Sequence, residues 1–298
     1  SLHNSQPWAF RLHDGAVDVR IDPGRGSAVG GRAGWAARVA CGAAALNARL
    51  ALATNGTPAV VRIRPDPTDD ELIARLAPTA ARPATMGERD LAAAVARRRS
   101  NRAPFWADPV PADLRARLLD AARAEGCWLE LLIGMTALSG FAEIAQSADR
   151  VLRRDSAYQA EQGHWTDPSV AGDGVPVNVG ARVTEPQDLL PQRAYSDRPR
   201  APGRDFEAEP LIAILGSTGD CAGDQIAAGL ALQRVLLTAT DAGLATSMIS
   251  QPIEVPSARD QLRRSLGRSG TPQMALRIGY GQPGSLTPRR RLGDVIVS

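Results

Sequence analysis

The sequence contains no lysine and has few cysteines and histidines. All 35 basic residues are arginines, and the formal net charge is only +3. The cysteines Cys41, Cys127 and Cys221 lie far apart, so neither a disulfide framework nor a thiolate zinc site is expected. The histidines show no HExxH spacing, and no GxSxG sequence occurs. Hydrolysis by a metal ion or a serine nucleophile is therefore not expected.

Long apolar runs are also absent. No run approaches the roughly 18 residues that suggest a membrane helix, and no segment has the pattern of a secretion signal. The 298 residues are 44% hydrophobic, which is enough for a substantial core. We therefore expect a cytoplasmic globular protein without a membrane or nucleic-acid partner. Any anion that it binds must be held by guanidinium groups.

The remaining pattern predicts a mixture of strands and helices. Alternating apolar residues predict a hairpin over residues 8–22 and strands over 59–65, 127–134, 211–217 and 273–281. Helical spacing predicts helices over residues 35–55, 87–99, 108–126, 136–155 and 225–243. Residues 67–77 are predicted to form a further helix or a turn. Residues 172–210 have no periodicity and are rich in Pro, Gly, Asp and Arg, which predicts a lid or, alternatively, a disordered linker.

One segment of the chain echoes another. Residues 42–56 and 229–243 both begin and end with glycine, and Gly42 and Gly229 are separated by the same 187 positions as Gly56 and Gly243. Such a repeat is typical of a chain built from two related halves. We place these halves at residues 1–95 and 96–298, with the lid-like insertion in the second, and interpret them as the product of a gene duplication.

Three motifs could carry chemistry. The opening SLHNSQPWAF, residues 1–10, is either an ordinary loop or a surface for a small polar ligand. RRRSNR (97–102) and TPRRRL (287–292) are either solvated arginines or a phosphate clamp, since guanidinium groups bind phosphate bidentately. A GxGxxG pattern at Gly279, Gly281 and Gly284 is not followed by a helical pattern, so it is interpreted as a turn rather than a dinucleotide-binding loop.

Four segments resemble motifs of the FMN-dependent nitroreductase family. SLHNSQPWAF resembles the Ser/Asn/Gln-Pro-Trp motif of its flavin pocket, and RRSNR resembles its Arg-x-Ser-x-Arg/Lys signature. Residues 227–255 resemble its central interface helix and the turn that follows, and TPRRRL resembles its C-terminal basic motif. Together these segments span nearly the whole chain.

The order of the motifs departs from the family, because RRSNR follows the opening motif instead of preceding it. This order is similar to that of the Acg-type branch in mycobacteria and their relatives, which DSAYQAEQGHW (155–165) and GRDF (203–206) also resemble. The resemblance implies an α+β, nitroreductase-like fold in which two pseudo-repeated α/β halves of one chain mimic the nitroreductase homodimer. The chain begins inside its motif without an initiator methionine, so a helix upstream of Ser1 is expected.

The resemblance also implies a flavin site. Arg98 and Arg289 would bind the FMN phosphate, and Ser100 the ribityl chain. Thr287 stands where the family often has a second basic residue, so either Arg290 substitutes for it or the phosphate is held less tightly.

The flavin ring would then lie between the two halves of the chain. Arg102 would lie near its pyrimidine end, where a positive charge favours the reduced form. The opposite half would supply neutral side chains, and the backbone after the interface helix would face the N5 edge; these two groups are Ser1, His3, Asn4 and Gln6, and Met248, Ile249 and Ser250.

The implied function is an oxidoreductase in which NAD(P)H reduces FMN, which then reduces a nitroaromatic or a quinone. It needs no catalytic side chain and no metal. An alternative is an FMN storage protein with a closed lid and little or no reductase activity, and a third is an arginine-rich interaction domain without a cofactor. The chain would be a monomer that mimics a dimer, and further dimerisation is left open.

Overall fold

The computed structural model describes residues 1–25, 34–166, 173–175, 189–191 and 209–297. Most of the predicted lid and the segment GRDF lie outside these residues. Among the described residues, no helix is both long enough and apolar enough to cross a membrane. The strands of this part form two antiparallel four-stranded sheets, which confirms the predicted α+β class and its two-half arrangement.

The first sheet is built from the amino-terminal part of the chain. Its strands lie in the order β1-β2-β4-β3, and a long helix, α1, connects β2 to β3. The elements are β1 (Trp8–His13), β2 (Ala16–Ile21), α1 (Trp35–Thr54), β3 (Ala59–Ile63) and β4 (Leu72–Pro78). The predicted hairpin is confirmed as the antiparallel pair of β1 and β2.

The second sheet repeats this plan. Its strands lie in the order β5-β6-β8-β7, and the helix α6 connects β6 to β7. The elements are β5 (Trp128–Leu132), β6 (Leu211–Ser217), α6 (Ala222–Asp241), β7 (Ala245–Ile249) and β8 (Thr271–Gly279). The pairing of β2 with β4 shifts register at Val19/Arg20, and the pairing of β6 with β8 shifts register at Leu215/Gly216. The two sheets thus share order, helix placement and irregularity.

The other helices cover the two sheets. The helix α3 packs on α6 and β5, and α4 packs on α5, α7 and α8. Their bounds are α2 (Met86–Arg97), α3 (Ala112–Arg123), α4 (Met135–Arg154), α5 (Ser156–Thr166), α7 (Gln251–Glu254), α8 (Pro256–Ser265) and α9 (Leu292–Val295). The predicted boundary near residue 95 falls within the last turn of α2, and the division of the chain at that point stays a prediction.

The two long helices cross at the echoed glycines. A Cβ atom added to Gly42 would lie 2.2 Å from the Ile226 carbonyl oxygen, and one added to Gly229 would lie 2.2 Å from that of Val39. The contact is reciprocal, and it brings the backbones closer than any side chain permits. Gly42 and Gly229, which are 187 positions apart in the sequence, are therefore in contact in the structure.

Each long helix also contributes to the core of the other half. Trp35 and Val39 of α1 pack in the apolar cluster of the second sheet, whereas Ile226, Leu230 and Leu237 of α6 pack in that of the first. Burial of an apolar side chain of this size stabilises the folded state by roughly 1.5–3 kcal/mol. Neither half therefore has a complete core without the other.

One predicted element is only partly right. Residues 67–77 were expected to form a helix or a turn; residues 67–71 form turns, but residues 72–77 belong to β4, in which Leu72, Ile73, Ala74 and Leu76 are buried. Between them, Arg75 reaches the carboxylate of Asp18 on β2, with Nε to Oδ1 at 2.6 Å. Pairing with β2 and β3 outweighs the acidic residues that precede the strand and resemble a helix start.

Candidate functional site

A cleft lies where the opening segment, α1, α6 and β7 meet. It encloses about 1090 Å³, part of which is open to solvent. Its wall includes apolar residues of the two crossing helices, namely Val39, Ala40, Leu232 and Leu236. Its polar residues come from several parts of the chain: Ser1, His3, Arg98, Arg102, Gln233, Ser247, Ser250, Gln251 and Arg277.

Seven of the twelve residues predicted from the sequence line this cleft. They are Ser1, His3, Arg98, Arg102, Met248, Ile249 and Ser250. The other five are not among its lining residues; they are Asn4, Gln6, Ser100, Arg289 and Arg290. The fold thus brings the very front of the chain and its arginine signature to one cavity, although they are about 95 residues apart in the sequence.

The opening segment has an unusual backbone. His3, Asn4 and Gln6 have φ angles of 51°, 57° and 50°, in the left-handed region that favours glycine. Such conformations cost of order 1–3 kcal/mol each and persist only where surrounding contacts fix them. The Asn4 amide nitrogen donates to the carbonyl oxygens of Gly174 (2.9 Å) and Pro288 (3.1 Å). Asn4 therefore fixes the segment while Ser1 and His3 face the cleft.

Alternating charges anchor the same segment. Arg25 pairs with the buried carboxylate of Asp173 and donates to the Ser5 carbonyl oxygen at 3.1 Å. Asp22 lies between Arg25 and Arg290, with 3.0 Å between its Oδ2 and Nη2 of Arg290. These contacts join the opening segment to residues 173–175 and to the carboxyl-terminal part of the chain.

Arg290 is part of this anchor. Its Nη1 donates to the carbonyl oxygens of Gln6 (3.0 Å) and Trp8 (3.2 Å), and its backbone N–H donates to Oε1 of Gln6 at 3.0 Å. These bonds, together with the ion pair to Asp22, hold the guanidinium away from the cleft. The expectation that Arg290 substitutes as a phosphate ligand is therefore not supported by its position, and neither is a ligand role for Gln6.

Replacing Arg290 with alanine should lower the free energy of unfolding by about 2–4 kcal/mol, because several charge-assisted hydrogen bonds are lost together. The measurement is denaturant unfolding. Arg291→Ala, at the exposed neighbouring position, is the matched control and should change stability by less than about 0.5 kcal/mol. Equal stability of the two variants would contradict the anchoring role.

Two arginines at or beside the cleft, Arg98 and Arg289, have lowered pKa values. The pKa of Arg98 is lowered to about 10, first by burial and then by the charges of Arg289, Arg99 and Arg102. The pKa of Arg289 is also lowered, first by burial and then by Arg99. In the part of the chain that the structure describes, neither Arg98 nor Arg289 forms an ion pair with a carboxylate. An anion is the group that would stabilise such a cluster.

The arginine signature itself lies along the second sheet. Ser100 forms an isolated parallel bridge with Thr246 at the start of β7, and the Asn101 N–H donates to the Thr246 carbonyl oxygen at 2.8 Å. The buried Asn101 side chain donates to the Gln282 carbonyl oxygen at 2.5 Å. A Cβ atom on Gly284 would lie 3.0 Å from the Ser100 carbonyl oxygen. No helix begins at Gly284 in the described part of the chain; the next helix along the chain is α9, which begins at Leu292.

Sequence reasoning missed several residues of the cleft. Trp35, Met274 and Arg277 line it but belong to no recognised motif, and Gln233 and Gln251 line it but were not singled out within the recognised segment 227–255. Only Arg277 could have been recognised from the sequence, because it is the single charged residue in the predicted strand QMALRIGYG. The other four are typical of ordinary helix and strand sequences.

Comparison with known proteins gives relatives over the full length of the chain. No family profile matches it. It is 31% identical to "Putative NAD(P)H nitroreductase acg" of Mycobacterium tuberculosis, covering 99% of this chain and 91% of the relative. It is also 31% identical to "Putative NAD(P)H nitroreductase Rv3131" of the same organism, covering 99% and 87%.

Solved structures are more distant. A nitroreductase with bound FMN from Desulfitobacterium hafniense is 13% identical, with 70% of this chain and 97% of that chain covered and a TM-score of 0.46. The FMN and NADPH-dependent nitroreductase NfnB from sphigopyxis sp. is 18% identical, with 70% and 98% covered and a TM-score of 0.46. The full-length sequence relatives identify the family: this chain is a member of the nitroreductase family, in the branch that includes Acg.

Proposed function

We propose that this protein binds FMN in the cleft and uses NAD(P)H to reduce a small organic acceptor. The observation that carries the proposal is the group of arginines at the cleft: Arg98 and Arg102 line it, Arg289 lies close to Arg98, and apart from Arg277 the other lining residues are uncharged side chains. The charge of Arg289 contributes to the lowered pKa of Arg98, and neither arginine has a carboxylate partner among the described residues. The names of the mycobacterial relatives support an NAD(P)H-dependent reductase.

The residues present fit the phosphate of FMN. A dianionic phosphate is bound best by two or more guanidinium groups, and Arg289 is close enough to Arg98 for its charge to lower the pKa of Arg98. Arg289 also donates to Oδ1 of Asn4 at 3.2 Å, which ties the proposed phosphate site to the opening segment. Ser100, in the bridge beside Thr246, is proposed for the ribityl chain.

The rest of the cleft fits a flat ring system with polar edges. Val39, Leu232 and Leu236 offer apolar contact, and Ser1, His3 and Ser250 offer neutral hydrogen-bonding groups. Bound FMN supplies the hydride and electron transfer chemistry. The side chains of this protein bind it, orient it, exclude water from one face and add the positive charge of Arg102, which favours an anionic reduced ring.

The acceptor is proposed to be a nitroaromatic or a quinone, and the protein a cytoplasmic monomer. Two halves that resulted from gene duplication would then take the place of the two subunits of a homodimer. The shared strand order of the two sheets and the exchange of core residues between them support this arrangement.

One observation favours FMN storage as a second candidate. Leu190 and Pro191, which belong to the insertion at residues 172–210, line the same cleft as His3 and Arg98. Insertion residues at this position would narrow the access of a nicotinamide ring to the flavin. A stored cofactor would then be protected from reductants in solution.

Colour and reduction test both candidates. The purified protein, incubated with FMN and desalted, should remain yellow; a colourless protein would contradict both. NADPH or NADH is then added without oxygen. Loss of the flavin colour within seconds would support a reductase, whereas colour that persists for many minutes with both donors would contradict it and support storage.

A further inference from the structure

We propose that Arg277 is a positioning residue that holds residues 98–105, here called the arginine strap, in the geometry that binds a phosphate group. The proposal rests on the proposed function for the identity of the ligand. It concerns a side chain in the middle of β8 that belongs to none of the motifs recognised in the sequence. Two of its partners, Ala103 and Phe105, lie in the strap.

Arg277 is a buried charge in an apolar strand. Its exposed fraction is 2%, and its neighbours Ala275, Leu276 and Ile278 are buried core residues. It is paired with Ser247 of β7, and both side chains line the cleft. Burial of an ionised group costs free energy unless hydrogen bonds and favourable charge contacts compensate for it. The compensating contacts therefore indicate what this residue does.

Two of these contacts join Arg277 to the strap. Its Nη2 donates to the Ala103 carbonyl oxygen at 2.7 Å. Its guanidinium carbon lies 3.9 Å from the centre of the Phe105 ring, within the range of a cation–π contact. Arg277 thus fixes both the backbone and an aromatic side chain of the strap.

Two glycines of the GxGxxG pattern leave room for the Phe105 ring. A Cβ atom on Gly279 would lie 3.0 Å from Cδ2 of Phe105, and one on Gly281 would lie 3.2 Å from Cδ1. These separations are tighter than ordinary van der Waals contact, so a side chain at either position would displace the ring. Gly279 and Gly281, which belong to a pattern that resembles a nucleotide-binding loop, therefore leave the space in which Phe105 packs beside Arg277.

The same contacts set the direction of the arginines. Asn101 is bound to Thr246 and Gln282, and Ala103 donates its N–H to Oδ1 of Asn101 at 2.9 Å. With residues 101, 103 and 105 fixed on the sheet, the guanidinium groups of Arg98 and Arg102 line the cleft. Binding sites need their groups within roughly 0.5 Å of the productive geometry. Loss of Arg277 should therefore weaken phosphate recognition without removing any phosphate ligand.

The first test compares FMN with riboflavin, which lacks the phosphate, on the flavin-free protein. Arg277→Met should weaken FMN binding by about tenfold or more and riboflavin binding by less than about threefold, as expected from loss of one or two charge-assisted bonds. Arg277→Lys retains a cation and a donor and should recover part of the loss. In a protein that already carries Arg98→Ala, the Arg277→Met change should have a much smaller effect, because both act on one contact.

The second test needs no flavin. Amide hydrogen exchange of residues 98–106 in the flavin-free protein should be faster in Arg277→Met than in the unmodified protein, and Arg277→Lys should restore part of the protection. Arg75→Met, on the last strand of the first sheet, removes a partner of buried Asp18 and serves as a destabilising control. It should leave both the exchange of residues 98–106 and the preference for FMN unchanged.

Three results would overturn the proposal: unchanged exchange of residues 98–106, equal weakening of FMN and riboflavin, or full additivity with Arg98→Ala. Recovery of FMN binding in Arg277→Lys without recovery of protection would also overturn it, in favour of a direct effect of charge. If the unmodified protein binds neither flavin, the proposed function fails, and the exchange measurement alone decides whether Arg277 positions the strap.

Discussion

Replacing Arg98 with alanine should weaken FMN binding by about 10- to 100-fold and change riboflavin binding by less than about threefold. A hydrogen bond between charged groups contributes roughly 1.5–3 kcal/mol, and each 1.4 kcal/mol is a factor of ten in affinity. Burial and the neighbouring arginines already disfavour the Arg98 cation in the free protein, with its pKa lowered to about 10, so a dianionic ligand is strongly favoured at this position. The measurement is a fluorescence titration of the flavin-free protein with each flavin.

Arg97→Ala is the matched control, because it changes the adjacent arginine. The Arg97 side chain is 56% exposed at the end of α2, and its nearest carboxylate oxygen, on Asp241, is 3.8 Å away. Such a pair contributes little, so the affinities for both flavins should stay within about twofold of the unmodified protein. Equal losses of FMN and riboflavin in Arg98→Ala would contradict a phosphate-binding role, since only FMN carries the phosphate.

Replacing Gly42 with alanine should lower the free energy of unfolding by at least about 3 kcal/mol, or prevent folding. The new Cβ would lie 2.2 Å from the Ile226 carbonyl oxygen and 3.0 Å from Cα of Gly229. These are backbone atoms of a buried helix that contributes to both cores, so α1 and α6 must separate. Denaturant unfolding followed by far-ultraviolet circular dichroism measures the loss.

Gly140→Ala tests whether the effect comes from the crossing or from the residue type. Gly140 lies within α4, and an added Cβ would meet no atom within 4 Å. Because alanine is favoured over glycine in a helix by about 1 kcal/mol, this variant should be as stable as the unmodified protein or slightly more stable. A Gly42→Ala protein with equally unchanged stability would show that the two helices do not meet at these glycines.

Much of the fold could be predicted because its elements have clear periods. The hairpin β1–β2, the strand β6 and the long helices α1 and α6 lie within a few residues of their predicted bounds. The strand β7 was not predicted as a strand, because it has only five residues and the adjacent polar residues Thr246 and Ser247 interrupt any alternation of apolar side chains. The strand β4 was assigned to the wrong class, because its acidic lead resembles a helix start while its pairing with β2 and β3 is a tertiary effect.

The sequence predicted which residues belong to the candidate site better than it predicted how their side chains are oriented. Sequence reasoning brought Ser1, His3 and Arg98 to one cavity, and the structure does the same. It could not separate residues that face the cleft from those that hold the loop, because Asn4 and Gln6 have the same polar character as their neighbours. Their direction depends on left-handed φ angles and on partners as distant as Pro288.

Because the two crossing helices belong to one chain, their contact does not have to be self-complementary, as the contact between two identical subunits must be. Nε of Arg38 donates to Oε1 of Gln225 at 2.7 Å, and these positions are 187 apart, like the glycines of the crossing. Where two identical subunits meet about an axis, a residue on that axis faces its own copy, so the surface must be self-complementary. Two arginines there would repel each other. A single polypeptide can pair arginine with glutamine, so each side of this junction is able to vary on its own.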